Sequence, residues 1–316
     1  MILFYVEHDG GVVDPISLQA LTAARRVGTV EAVLVALEPG GIPETLKRFG
    51  VAKVHHVRDE RLKSYSPEAI GLCLAQACKA ANAEAVIGPG TEKGNEVMTY
   101  AAAKLGLPLA NNAVQITPGE KWTVVRQRWG GGLLEESTLP AAPRILTVAP
   151  QVIAPEEAPA ERVELIPFKP DLNESAFRVR VARIEKFDPK GQGLKTAKIV
   201  VGGGRGVGGP DGFKCLEELA AAIGAVVGGS RVAINNGWRP PTDQIGLTGS
   251  RITPKLYIAC GISGAIQHRA GCKGAEKILV INKDKDAPFF THADWGVIGD
   301  LHEVVPAVTR AYKNLA

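Results

Sequence analysis

An α/β protein of two domains is what three features of this 316-residue sequence point to. Apolar runs of strand length alternate with helix-length amphipathic segments from the first residue onward. Late in the chain a glycine run lies between one such strand and a helix. The length, at roughly 100 to 200 residues per domain, suits two hydrophobic cores. Residues 1–190 are expected to form an N-terminal mixed α/β sheet domain, and residues 191–316 a C-terminal doubly wound parallel-sheet domain.

The first domain opens with an unbroken apolar strand, Ile2 to Val6, as burial on both faces requires. A helix follows from Pro15 to Val27, then a strand from Val30 to Leu37, a short helix near Glu44 to Phe49 and a strand from Val54 to Val57. Ser66-Pro67-Glu68 caps a helix in which Ile70, Cys73, Leu74 and Ala77 share one face. Strand Ala85 to Ile87 and a helix from Asn95 to Leu105 complete a rhythm that predicts parallel strands joined by crossover helices. Beyond Asn112 the texture changes to alternation in Trp122 to Trp129 and Leu133 to Leu139, around Gly130-Gly131-Gly132, and predicts an antiparallel pair. Pro150 to Pro159 is too rich in proline and acid for a core element and reads as a surface excursion. Val179 to Phe187 resumes a β pattern, and the turn-forming Asp188 to Gly193 marks the domain boundary.

The second domain is expected to run as strand Lys198 to Val201, helix Phe213 to Ile223, strand Arg231 to Ile234, strand Leu256 to Ala259, a helix from Ser263, strand Ile278 to Ile281 and a final helix from Leu301 to Tyr312. Charge is divided unevenly between the halves. Residues 1–194 carry 22 basic and 23 acidic side chains, residues 195–316 carry 15 and 10, so an anionic ligand is expected in the second domain. The net charge of +4 is too small for a general nucleic-acid or membrane-surface binder. No apolar run approaches the roughly 20 residues that span a bilayer, so no membrane insertion is expected.

The N-terminus carries neither a basic start nor a small-residue cleavage site, and the five cysteines contain no Cys-x-x-Cys pair. A cytoplasmic protein without a zinc site or disulfide framework is the expectation. His55-His56 alternate across a strand, and His292 and His302 lack ligand spacing, so no metal site is expected. Cys260 and Cys272 read as small buried residues, and Trp122, Trp129 and Trp295 as core or interface.

In the glycine run, Gly204, Gly206 and Gly209 satisfy G-x-G-x-x-G between a strand and a helix, where backbone amides can approach a pyrophosphate. A flexible turn is the plain alternative. A nicotinamide site expects an acid about 20 residues on, to hold the ribose diol. None lies between Glu218 and Asp243, and Ser230-Arg231 stands there instead, which leaves the NAD fingerprint incomplete and NADP open.

Three further segments, Asn235 to Gly249 (NNGWRPPTDQIGLTG), Leu256 to Gly271 (LYIACGISGAIQHRAG) and Ile281 to Pro306, stand in order after GGGRG and GSR. Together they resemble the α subunit of electron transfer flavoproteins, closely over residues 198–316 and more loosely over 1–190. That resemblance implies one FAD in the second domain, with a partner β subunit closing over the flavin ring. It implies that Arg205 and Ser230 meet the ribityl and diphosphate region, where a cation and a hydroxyl offset phosphate charge. Arg231 is similar to the family's arginine packed against the flavin ring, where a fixed cation favours the reduced, negatively charged states. At about 4 Å and an effective dielectric near 20 such an attraction is about 4 kcal/mol before solvent screening. The competing readings are a solvated loop arginine for Arg205 and a surface strand arginine for Arg231.

The resemblance further implies that the loop Ile245, Gly246, Leu247 and Thr248 wraps the isoalloxazine, with the Thr248 hydroxyl reaching flavin N5. Family members usually carry Gln where this chain has Leu247, which removes a side-chain amide contact. Thr248 is otherwise an ordinary turn residue. Ser263, Gly264, Ala265, Ile266, Gln267 and His268 open a helix whose first amides face the diphosphate, with Ser263 as cap. His268 is placed at the N1 and C2-carbonyl edge of the flavin; a structural helical histidine is the alternative. Asn282, at a strand end, and Asp300, capping the last helix beside Leu301, resemble the residues that hold the adenosine.

The function implied is electron carriage. The FAD accepts electrons from acyl-CoA or related dehydrogenases, as in fatty acid β-oxidation, and passes them singly to a quinone oxidoreductase or similar acceptor. AMP, or in an electron-bifurcating variant fed by NADH a second FAD, is expected in the β subunit. An NAD(P)-dependent oxidoreductase is the alternative from another class; it calls for an acidic ribose ligand and an acid/base pair, neither of which is evident. The first domain, despite Gly88-Pro89-Gly90 after a strand, is expected to pack against the β subunit.

Overall fold

The computed structural model describes residues 1–139, 142–183 and 193–315. The described residues fall into two compact units, one of residues 1–129 and 133–183, the other of 130–132 and 193–315. The boundary expected at 190/191 lies outside the described residues.

In the first unit β1 (Ile2–Tyr5) is followed by a small hairpin of β2 (His8–Asp9) and β3 (Val12–Val13), then α1 (Pro15–Val27), β4 (Val30–Val35), α2 (Ile42–Arg48), β5 (Lys53–Val57), α3 (Pro67–Ala80), β6 (Ala85–Pro89) and α4 (Glu92–Leu105). Next come β7 (Leu109–Thr117), β8 (Trp122–Arg128), β9 (Leu133–Leu139), β10 (Arg144–Val148) and β11 (Glu164–Phe168). Nine of these strands form one sheet in the order β11-β5-β4-β1-β6-β10-β7-β8-β9. Pairing is parallel from β11 to β7 and antiparallel through β7, β8 and β9. Strand periodicity explains the two cores. Ile2 and Phe4 face α1 and α2, packing with Leu21, Ala24, Ile42 and Leu46, whereas Leu3 and Tyr5 face α3 and α4, packing with Cys73, Leu74, Val97 and Met98.

The sequence reading missed β7, β10 and β11 as separate strands. Ser66 also departs from expectation: it stands at the start of α3 without capping it, because its hydroxyl donates instead to the Val179 carbonyl at 2.8 Å. The β pattern expected from Val179 is absent over 179–183, where the chain is held by hydrogen bonds to α3's neighbourhood, such as Val181 N to Tyr65 O at 3.2 Å; residues 184–187 lie outside the described residues. The surface excursion at 150–159 has no regular element.

The second unit contains β12 (Ile199–Gly203), α5 (Phe213–Ile223), β13 (Val226–Gly229), α6 (Arg231–Asn235), β14 (Leu256–Cys260), α7 (Ile266–Cys272), β15 (Ile278–Asn282), β16 (Trp295–Ile298) and α8 (Leu301–Leu315). Its five strands are all parallel in the order β13-β12-β14-β15-β16, a doubly wound arrangement. Val201, Ile258 and Ile281 pack with Phe213, Leu216, Leu301 and Val305 of α5 and α8. Val200, Tyr257, Ala259 and Val280 point the other way, against Ile245, Ile262, Cys272 and Phe289.

Two local readings are corrected here. Arg231 to Ile234 is helix, not strand: the Ser230 hydroxyl accepts the Ala233 amide at 3.4 Å and so starts a helical turn, and the strand lies earlier, at β13. The helix after β14 begins at Ile266, with Ala265 before it, so Ser263 caps nothing. Gly264, at φ +84°, forces the chain through a left-handed turn first. Among the described residues no helix is long and apolar enough to cross a membrane.

Candidate functional site

In the second sheet, β12 lies between β13 and β14, so the chain leaves it toward opposite sides, which makes the carboxyl ends of β12 and β14 the switch point at which doubly wound sheets bind ligands. Two glycine-rich loops meet there. The Gly204 amide donates to the Cys260 carbonyl at 2.9 Å and the Gly206 amide to the Gly261 carbonyl at 3.0 Å. A Cβ on Gly204 would stand 2.3 Å from the Gly261 oxygen, and one on Gly206 would stand 2.8 Å from the Gly261 Cα. The first two glycines of the fingerprint are therefore required by backbone packing between the loops.

Around this seam the site residues are brought to one sheet edge largely by backbone bonds. Ser230, buried just beyond β13, donates its amide to the Gly203 carbonyl at 2.9 Å. Arg205 and Arg231 are exposed cations, and the side chain of neither forms an ion pair or hydrogen bond with another described residue. The Ile245 amide donates to the Gly229 carbonyl at 2.9 Å and the Leu247 amide to the Gln267 carbonyl at 2.7 Å, so the 245–248 loop is tied to β13 on one side and to α7 on the other. Thr248 is exposed, and its Oγ1 accepts a bond from the Gln244 amide at 2.9 Å.

Ser263, Ala265, Ile266 and Gln267 are exposed, while Gly264 is buried against the backbone of Phe289, from which a Cβ would be only 2.6 Å away. Asn282, at the end of β15, donates from Nδ2 to the Ile262 carbonyl at 3.1 Å. Its carbonyl accepts the Gly299 amide at 3.1 Å, which leads directly to Asp300. Asp300 Oδ1 accepts the His302 amide at 2.9 Å at the start of α8, and Leu301 is buried beneath it. No hydrogen bond joins Arg205, Arg231, Thr248 and His268 to one another; what they share is the edge of one sheet.

His268 differs from the rest in being buried. Its Nε2 lies 2.8 Å from the Tyr257 hydroxyl, and its Nδ1 is buried with no hydrogen-bond partner. Desolvation lowers its pKa from 6.5 to about 4, against a smaller opposing pull from the Ile245 backbone, so the ring is neutral at pH 7. An orphaned buried nitrogen is costly, roughly 1 to 3 kcal/mol, and calls for a partner such as a water or a ligand atom. Sequence reading found His268 but missed Tyr257, which it took only as a strand residue. The available signal was a phenol in an otherwise apolar strand, Leu256–Cys260.

Residues 2–172 match the electron transfer flavoprotein domain and residues 193–273 match the electron transfer flavoprotein FAD-binding domain. The chain belongs to the electron transfer flavoprotein family, as an α subunit. Similar proteins include the electron transfer flavoprotein subunit alpha of Thermoanaerobacterium thermosaccharolyticum, 34% identical with 99% of this chain and 98% of that protein covered. Those of Mycobacterium leprae (35% identical; 98% and 98% covered) and Bacillus subtilis (35%; 95% and 93%) are similar over nearly their whole lengths too.

A flavin is the cofactor that this FAD-binding domain implies, and the residues present suit it. The glycine seam admits close backbone approach, Arg205 and Arg231 are cations whose side chains are unpaired among the described residues, and His268 Nδ1 is a polar atom without a partner among them. Asn282 and Asp300 lie beyond the matched FAD-binding segment but at the same sheet edge. In the first unit, polar side chains at the corresponding strand ends bond one another. Thr91 donates to Glu7 and accepts the Gly94 amide at 2.8 Å, and Thr147 donates to Asn95 at 2.7 Å.

Proposed function

We propose that this chain works as the α subunit of a heterodimeric electron carrier, holding one FAD in the domain of residues 191–316. The observation that carries the reading is the buried His268, neutral and with Nδ1 unpartnered among the described residues, in the same parallel-sheet unit as the glycine seam at its switch point. FAD supplies reversible uptake of electrons at its isoalloxazine ring. This chain supplies the binding and the electrostatics. Arg205 and Ser230 hold the ribityl and diphosphate region, Asn282 and Asp300 the adenosine, and Leu301 packs beneath. Arg231 brings positive charge to the ring, Ile245, Gly246, Leu247 and Thr248 wrap it, and Thr248 serves N5. The segment Ser263, Gly264, Ala265, Ile266 and Gln267 lies along the diphosphate with His268 at the N1 and C2-carbonyl edge.

The domain of residues 1–190 packs against the β subunit, which carries AMP. Electrons arrive from acyl-CoA or related dehydrogenases in the cytoplasm, as in fatty acid β-oxidation, and leave singly to a quinone oxidoreductase or similar acceptor. The test is to purify the chain with its β partner and titrate FAD, reading visible absorption. One FAD per heterodimer and electron uptake from an acyl-CoA dehydrogenase are expected. Two FAD per heterodimer with NADH oxidation would replace this reading by the electron-bifurcating one. A complex that refuses FAD and binds NADPH would overturn it in favour of an NAD(P)-dependent oxidoreductase.

A further inference from the structure

We propose that Tyr257 is a positioning residue: its hydroxyl donates to Nε2 of His268, fixing the imidazole as the Nδ1–H tautomer and so making His268 a neutral hydrogen-bond donor toward the cofactor. The proposal rests on the reading of residues 191–316 as the FAD-holding domain.

The argument is a proton count. Tyr257 is wholly buried on β14, and among the described residues its hydroxyl meets one polar partner, His268 Nε2, at 2.8 Å. Burial pushes the phenol pKa well above 10, so the hydroxyl keeps its proton, while the desolvated imidazole holds a single one. Two protons and one contact leave two arrangements. If Nε2–H donated to the phenolic oxygen, the phenol proton and the Nδ1 lone pair would both be buried without partners. If the phenol donates to Nε2, its proton is used and only Nδ1–H remains unspent. The second leaves one group unsatisfied instead of two, and each such group costs on the order of what a hydrogen bond contributes.

Packing keeps the pair in register. Phe289 stands edge-on to the imidazole with ring centroids 5.9 Å apart, and the Tyr257 ring lies 6.1 Å from the imidazole and 6.2 Å from Phe289. The three aromatic rings pack against one another, which restricts the imidazole's rotation. On the loop side, a Cβ on Gly246 would come within 3.8 Å of the His268 Cα, so the backbone that carries the imidazole lies against the 245–248 loop. A fixed neutral N–H suits an acceptor oxygen or nitrogen on the ligand. The opposite tautomer would present a lone pair to that atom and repel it.

The test uses the full chain in complex with its β partner, labelled with ¹⁵N in histidine. Long-range ¹H–¹⁵N spectra, with His268 assigned by its absence in His268→Ala, report which ring nitrogen carries the proton. Protonated Nδ1 and a hydrogen-bonded, unprotonated Nε2 are expected both with and without FAD. Tyr257→Phe should give a mixture of tautomers, weaken FAD binding about tenfold, as expected for one misdirected hydrogen bond, and shift the flavin potential. In the His268→Ala background the same change should do nothing further. A proton on Nε2 in the wild type overturns the proposal, whether or not the phenylalanine variant folds. So does an equal loss of FAD affinity from Tyr257→Phe in the His268→Ala background, which would make Tyr257 a packing residue only. Should the wild-type complex take up no FAD, the proposed function fails, and the spectra of the flavin-free complex still decide the tautomer.

Discussion

The Cβ that Gly202 lacks would stand 2.2 Å from the phenolic oxygen of Tyr257 and 2.8 Å from two of its ring carbons. Glycine at this place in β12 thus makes room for the ring of a neighbouring strand, independently of any turn. Gly202→Ala should displace the phenol and cost about 1 to 3 kcal/mol through overpacking. Urea unfolding followed by tyrosine fluorescence measures the cost. FAD affinity should fall together with stability; unchanged stability would show that the ring has another place to lie.

Stability of the FAD-free chain should depend on His268 below neutral pH. Its folded pKa of about 4 lies under the ordinary 6.5, so the unfolded state takes up a proton that the folded state refuses. The stabilisation is complete above pH 6.5 and is lost as pH falls toward 4, by on the order of 3 kcal/mol in all. His268→Asn should flatten the pH profile of thermal unfolding across that window. A profile as steep as that of the wild type would mean that the ring is solvated.

Glu68, 3% exposed, receives the Lys104 ammonium at 2.8 Å and the Arg178 guanidinium at 3.0 Å. The hydrogen bond from Lys104, with Arg178 adding to it, holds its carboxyl below the usual range. Its contribution is present above the unfolded carboxylate pKa and lost as pH falls through the lower folded one. Glu68→Gln should cost about 2 kcal/mol at pH 7, less than a fully buried pair because both cations reach solvent. Chemical denaturation at pH 7 and at pH 3 checks this: the difference between variant and wild type should shrink at the lower pH.

Arg231 is exposed at the start of α6, so solvent screens its charge. Arg231→Gln should lower the flavin midpoint potential by on the order of 50 mV, well under the unscreened attraction. Spectroelectrochemical titration at low and high salt reads it. An unchanged potential at low salt would remove Arg231 from the flavin environment.

Ser230→Ala should cost about 1 kcal/mol by removing the hydroxyl that accepts the Ala233 amide. Circular dichroism during thermal unfolding is the measurement, and the gain or loss of FAD affinity in the same variant separates its capping role from contact with the cofactor.

Much of this was legible in residue order. Unbroken apolar runs such as Ile2 to Val6 announce strands buried on both faces, and Pro15 to Val27 and Phe213 to Ile223 were read with the helix limits that the structure has. Gly204 and Gly206 stood out by their spacing between a strand and a helix, and His268 by the resemblance of its segment, Ser263 to His268, to the family. Local order misled where a single hydrogen bond chose between conformations. Val232 and Ile234 favour a strand, yet the Ser230 hydroxyl turned that segment into helix, and the left-handed Gly264 delayed α7 to Ile266.

From residue order alone came the alternation of strands and helices, a length that suits two domains and the concentration of positive charge after residue 194, carried by composition and spacing, and the family likeness, carried by particular motifs in their order. Folding in three dimensions was needed to bring Gly206 against Gly261, Gly264 against Phe289 and Tyr257 against His268. Such pairings are set by strand order and side-chain volume across a packed core. A hydrogen bond between two side chains eleven positions apart leaves no periodic trace in the sequence, and its proton is assigned only once burial has excluded every other partner.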